Sequence, residues 1–401
     1  VFHRLFVIIA GLLLLNPIVS AHGAEIEPQA ADPAASPSAN ASEGLINLFK
    51  FGDPQKIVQA LKLGLDVNMP DGLGGLTPLM LTAAANPDPE TLKILISRGA
   101  VVEAQEKKFG LTALMFAAST NSPAILETLL AAGAEVNRRD HQGGTALYHA
   151  ATNNRNPEAA ELLLKAGADP EIADNDGRTP LMQAVVMNRS DLIDLLSANG
   201  ARLETADRHG RTPLILAAGQ SNALSIIAHL IKLGADPNAQ DQDGVTPLLR
   251  AAAANNRVEA LEMLKTAGAD IKAVDKTGSD ALLLAALSNS NPEVVKFLLR
   301  EGVDLNARRP NGLTPLLAAA GNPRAEVARA LILTGADVGA KDLLGRNSLM
   351  LATWLNPNDD VVKIIFTGGA DPNEKDQNGL SAMELARDKR PTLADFFSLA
   401  Q

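Results

Sequence analysis

Apolar residues in this chain arrive in short bursts, and two kinds of burst alternate. The first kind is almost wholly apolar, as in "TALMFAASTN" (112–121), "TPLMQAVVMN" (179–188) and "TPLLRAAAAN" (246–255). The second is interrupted by charges, as in "ETLKILISRG" (90–99), "EAAELLLKAG" (158–167) and "EVVKFLLREG" (293–302). In this second kind the apolar positions recur at helical spacing. Each pair of bursts is followed by a stretch such as "GADPNAQDQDGV" (234–245), rich in Asp, Asn and Gly, which reads as an extended loop with a tight turn. The predicted unit is a helix, a turn, a second helix and a projecting loop.

The unit recurs in register. A residue suited to capping a helix stands at Thr77, Thr112, Thr145, Thr179, Thr212, Thr246, Asp280, Thr314, Asn347 and Ser381, at steps of 33 to 35 residues. Their side-chain oxygens can accept from the free N–H groups of a helix start. Pro follows at 78, 180, 213, 247 and 315, where its missing N–H would have had no partner. The second helix begins the same way at Asp88–Pro89, Ser122–Pro123, Asn156–Pro157 and Asn291–Pro292. It stops at a Gly, at 64, 99, 133, 167, 200, 234, 268, 302, 335 and 369, which suits a left-handed helix end. Two helices of about nine residues cannot stand alone. Stacked on like neighbours they share a continuous core. Ten layers at roughly 8–10 Å each predict a curved rod on the order of 90 Å long.

These units resemble ankyrin repeats, whose period and T-P-L-H-x-A signature are matched by "TPLLRAA" and "GADPNAQDQDG" over about residues 45–400. The resemblance implies an all-α helix-turn-helix repeat solenoid with projecting β-turn loops, and a function in binding, usually of proteins. One departure is the signature His, replaced by Met80, Met115, Tyr148, Met182, Ile215, Leu249, Leu283, Leu317 and Met350. Apolar packing is expected to take over its polar bracing. A second departure is an extra residue in many units, at the break between the helices. Residues 42–68 and 380–401 read as terminal caps of a single array, whose open ends need polar cover.

The N-terminal "VFHRLFVIIAGLLLLNPIVSAHGAE" has Arg4 near its start, an apolar run from Leu5 to Leu15, then Asn16, Pro17 and small residues. That is the layout of a secretory signal, and the run is short for a membrane-spanning helix. Cleavage after Ala21 fits best; cleavage after Gly23 or Ala24, or retention as an anchor, are alternatives. The opening valine is what a GTG start codon gives when read literally, which points to a bacterium. The organisation expected is a signal peptide at 1–21, a disordered Ala/Pro/Ser-rich spacer at 22–41 and the repeat array at 42–401.

Composition narrows the chemistry. The net charge is −10, from 46 acidic and 36 basic residues, which disfavours a nucleic-acid partner, since phosphate binding needs a basic footprint. The chain has no Cys, which removes disulfides, Cys-ligated zinc and thiol nucleophiles. His141, His149 and His209 read as solvated imidazoles too scattered for a metal. "DGLGG" (71–75) lacks the Lys-Ser/Thr of a phosphate loop. No catalytic constellation stands out from the repeated caps and turns, so no enzyme activity and no cofactor are expected.

Function then falls to the variable surface of the array: the loop tips and one face of the first helices. The fifth position from each cap, including Leu81, His149, Gln183, Leu284 and Leu351, is assigned to that surface together with the eighth, which includes Leu287 and Trp354. Leu284, Leu287, Leu343, Leu344, Leu351, Trp354 and Leu355 form an apolar cluster, read either as a protein-binding hot spot or as additional core. A line of turn arginines, Arg138, Arg139, Arg208, Arg308 and Arg309, is either a site for an acidic partner or a solubilising rim. The expected protein is a monomeric, non-catalytic interaction scaffold working in the bacterial periplasm. A secreted effector engaging host proteins, and a binder of a small molecule or cell-wall fragment, are the alternatives.

Overall fold

The computed structural model describes residues 37–71, 75–120, 123–154 and 156–399. The expected leader, most of the expected spacer, three residues of "DGLGG" and Ser122 lie outside them. The first helix begins at Pro37, four residues before the expected end of the spacer. No helix among the described residues is long and apolar enough to cross a membrane.

The chain divides into two compact units, Val1–Asn175 and Asp176–Gln401. The first holds Pro37–Phe51, Pro54–Lys62, Pro78–Ala85, Pro89–Ser97, Ala113–Thr120, Pro123–Ala131, Ala146–Asn153 and Pro157–Lys165. The second holds Pro180–Val186, Ser190–Ala198, Pro213–Ala218, Leu224–Leu233, Pro247–Ala254, Val258–Thr266, Ala281–Ser288, Pro292–Arg300, Pro315–Ala319, Ala325–Leu333, Ser348–Leu355, Asp359–Thr367, Ala382–Lys389 and Pro391–Leu399. Within each unit, first helices pack on first helices, second on second, and the two of a layer on each other. This is the all-α repeat solenoid that the spacing predicts. The only regular strand pairing among the described residues is an isolated bridge in each of two late loops, Lys341–Asn347 and Lys375–Ser381.

The cap reading holds at every layer. All ten cap side chains accept from the amide three residues on. The threonines do so at 3.3–3.4 Å. Asp280 and Asn347, whose acceptor sits one atom further out, reach 2.8 and 2.9 Å. The helix-ending glycines are left-handed, Gly234 at φ +97°. A second glycine, such as Gly244 at φ +77°, makes the loop turn, where a Cβ would lie 3.1 Å from the Lys276 amide. The expected replacement of the signature His by apolar packing is only part of the answer. The Thr77 and Thr112 amides donate to the sulfurs of Met80 and Met115 at 3.4 and 3.5 Å, a weak polar brace.

The polar break between helices turns out to be a structural device. Asn289, fully buried, donates through Nδ2 to Ala252 O and Asn255 O of the preceding layer at 2.8 and 2.9 Å. Its Oδ1 accepts from the Asn291 amide at 2.8 Å. Asn255, Asn322 and Asn356 repeat the arrangement, as does Asn86 in the first unit. Carbonyls at a helix end lack intrahelical partners, and here the next layer supplies them. At the C-terminus Arg390 takes the same place, donating to Asn356 O at 2.7 Å.

Candidate functional site

Most loop tips are built on one aspartate, with Glu106 and Arg309 in its place in two turns. Asp342 donates its amide to Arg346 O at 3.0 Å, and its Oδ1 accepts from the amides of Leu344 and Arg346, both at 2.9 Å. The two residues after it are thereby held outward. In most other layers they are polar pairs such as His141–Gln142, Gln242–Asp243, Lys276–Thr277 and Gln377–Asn378. In this one they are Leu343 and Leu344, 62% and 49% exposed. The neighbouring tips fix only their backbone: Gln377 donates its amide to Leu344 O at 3.1 Å and its Nε2 to Leu343 O at 2.8 Å.

Beside this tip lies a groove of about 380 Å³. Leu287, Leu313, Leu317, Leu343, Leu344, Leu351 and Leu355 supply its apolar walls, with Ala318 and Gly321 between them and Asn311, Asp342 and Arg346 at its edge. Gly321 occupies the eighth position, where the layers before and after carry Leu287 and Trp354. Its missing side chain leaves the gap. The edge charges cancel: Arg346 meets Asp342 at 2.6 Å and lies over the Trp354 ring, 5.7 Å from its centroid. Burial would raise the Asp342 pKa, but Arg346 and two backbone amides outweigh it and hold the carboxyl below its ordinary value.

Five of the seven residues expected to form the apolar cluster line this groove. The other two do not: Leu284 is half-buried, and Trp354, 50% exposed, stands beside Arg346. The two readings of the cluster divide by residue. Leu351, 6% exposed, belongs to the core, whereas Leu287, Leu343, Leu344, Trp354 and Leu355 face solvent. Leu313 and Leu317 were missed, and Gly321, assigned to the variable surface as an eighth-position residue, was not counted in the cluster.

The fifth position is a correction: it belongs chiefly to the packed interior. Leu81, Phe116, His149, Gln183, Ala318 and Leu351 are buried. His149 is therefore no solvated imidazole. Its Nε2 meets Asp140 Oδ2 at 2.7 Å, with both side chains 4% exposed. Asp140 is the turn aspartate nine residues earlier, and its other oxygen holds the amides of Gln142 and Gly144. Arg250 and Asp241 repeat the pairing at 3.2 Å.

The arginine line is largely spent within the chain. Arg138 pairs with Glu103 and Glu135, and Arg139 donates to Gly143 O and Ala173 O. Arg208 pairs with Asp176 at 2.8 Å, and Arg309 donates to Thr277 near Asp275. Among the described residues no group of three or more His, Asp or Glu is placed to hold a metal ion.

The family model described as ankyrin repeats (3 copies) matches residues 45–140, 133–207, 214–309 and 282–376. No curated protein matches the chain.

Proposed function

The chain belongs to the ankyrin repeat family, and from that premise we propose that it is a non-catalytic scaffold that holds a partner protein in the leucine groove at 287–355. Ankyrin repeats generally mediate protein–protein contacts. The observation that carries this reading is the Leu343–Leu344 tip. Its apolar side chains stand in water at a position where most other layers are polar, and an exposed apolar patch of this kind marks an interaction surface. Desolvating it on binding is favourable, and a preformed groove limits the ordering cost. In this reading the partner approaches the loop tips and first helices, the concave side of such a stack. The leader at 1–21 supports export, so the proposed place of work is the bacterial periplasm, and the mature chain acts as a monomer.

The test is a photo-crosslinking residue at Leu287, with a control at Leu333, an exposed second-helix position, in cells that make the protein. A discrete protein adduct from position 287 and not from 333, in the periplasmic fraction, is the expected result. An adduct found only in the medium relocates the protein to a secreted role. Equal labelling at both positions rejects the groove.

A further inference from the structure

In the second unit the asparagine bridges are not continuous. From the layer at 211–244 onward, every interface carries one: Asn255 to Ala218 O and Gln220 O, then Asn289, Asn322, Asn356 and finally Arg390. The interface between the layers at 176–210 and 211–244 carries none among the described residues. Ser221 and Asn222, which stand where the bridging residue would, are exposed.

The chain geometry explains the gap. Helix Pro180–Val186 ends in its own closure, with Asn188 at φ +59°. The Asn188 amide donates to Val185 O at 3.0 Å, and the Arg189 amide to Ala184 O at 2.8 Å. This is the left-handed helix end that satisfies terminal carbonyls locally. Val185 O, which stands where Ala218, Ala252, Ala286 and Ala320 offer a carbonyl to the next layer, accepts within its own helix end instead. The contacts that do cross this interface include His229 with Asp194 at 2.8 Å and the Asp236 amide donating to Glu204 Oε1 at 2.9 Å. Both lie at partly exposed sites, where water competes for the partners and salt weakens the ion pair.

We propose that the layer at 176–210 is a weak joint of this unit, which opens locally while the layers from 247 onward stay closed. In a stack whose stability is the sum of layer and interface contributions, opening concentrates at the poorest interface. Two net buried hydrogen bonds correspond to roughly a ten- to hundred-fold change in an opening equilibrium.

Native-state hydrogen exchange on the full chain, followed by mass spectrometry, decides the matter. Helices Pro180–Val186 and Ser190–Ala198 should exchange at least about tenfold faster than Ala281–Ser288 and Pro292–Arg300. The layer Pro315–Ala319 and Ala325–Leu333 is the internal control: its first helix is shorter still, but it is bridged on both sides by Asn322 and Asn356. It should be slow. Equal protection of 180–198 and 281–300 overturns the proposal. So does fast exchange at 315–333, which would make helix length, not bridging, the cause. Asn289→Ala should bring Ala281–Ser288 towards the fast class; unchanged protection there would also count against it. If that variant does not fold, the wild-type comparison still decides.

Discussion

Replacing Leu343 by Gln and Leu344 by Asn copies the tip of the next layer, Gln377–Asn378, and separates binding from folding. The hydrogen bonds that hold the Leu343–Leu344 tip use its backbone, and Asp342, which orders the turn, is untouched. The two side chains are 62% and 49% exposed, so together they leave about one leucine's worth of apolar surface to be covered by a partner. Covering a leucine is worth about 1.5–3 kcal/mol, which is roughly a ten- to hundred-fold change in Kd. Stability should shift by no more than about 0.5 kcal/mol, as for ordinary surface changes. The assays are urea unfolding of the purified variant and the yield of the position-287 adduct. Unchanged adduct yield would refute the groove as the binding surface. A loss of several kcal/mol would show the tip to be core.

Trp354→Ala removes a ring that is only half covered; it should cost about 2 kcal/mol of stability and also reduce adduct yield, with a wild-type melting curve counting against the half-buried placement. Burial pushes the Asp280 carboxyl up despite the amides of Leu283 and Leu282, so its favourable protonated state is lost as pH rises through the folded value. Asp280→Thr, which restores the cap used in most layers, should melt higher than wild type at pH 7 and lose that advantage below about pH 4. Burial opposes ionisation of Asp207 and Asp342, yet Arg211 and Arg346 with nearby amides hold both carboxyls below their ordinary value. Their contribution is complete above about pH 4 and lost as pH falls from there through the folded values; Tm followed from pH 6 to pH 2 should drop less steeply for Asp342→Asn than for wild type.

Capping and helix-ending signals were legible in the sequence because they act within a few residues: Thr246 and Gly234 do locally what their types suggest. The role of Asn289 was not legible, because its partners lie 34 and 37 residues away and a polar break looks the same whether it meets water or a neighbouring carbonyl. The recurrence of Asn at 255, 289, 322 and 356 was the available signal. His149 failed for a related reason: a count along the helix places it on a face, but only the fold brings Asp140 against that face. The apolar cluster was visible as a group of residues, whereas the groove needed Gly321, whose contribution is the absence of a side chain.

The repeated bridge has a consequence for how such a gene changes length. Asn289 grips the layer before it through the same pair of carbonyl positions that Asn322 grips in turn. Excising residues 256–289 would splice Asn255 directly to Ser290 and present Asn322 with chemically equivalent acceptors. Copies can therefore be lost or duplicated there without a new junction having to be invented. At 180–189, where the helix end closes on itself, the same exchange would meet an unlike surface, so gain and loss of layers should favour the C-terminal stretch.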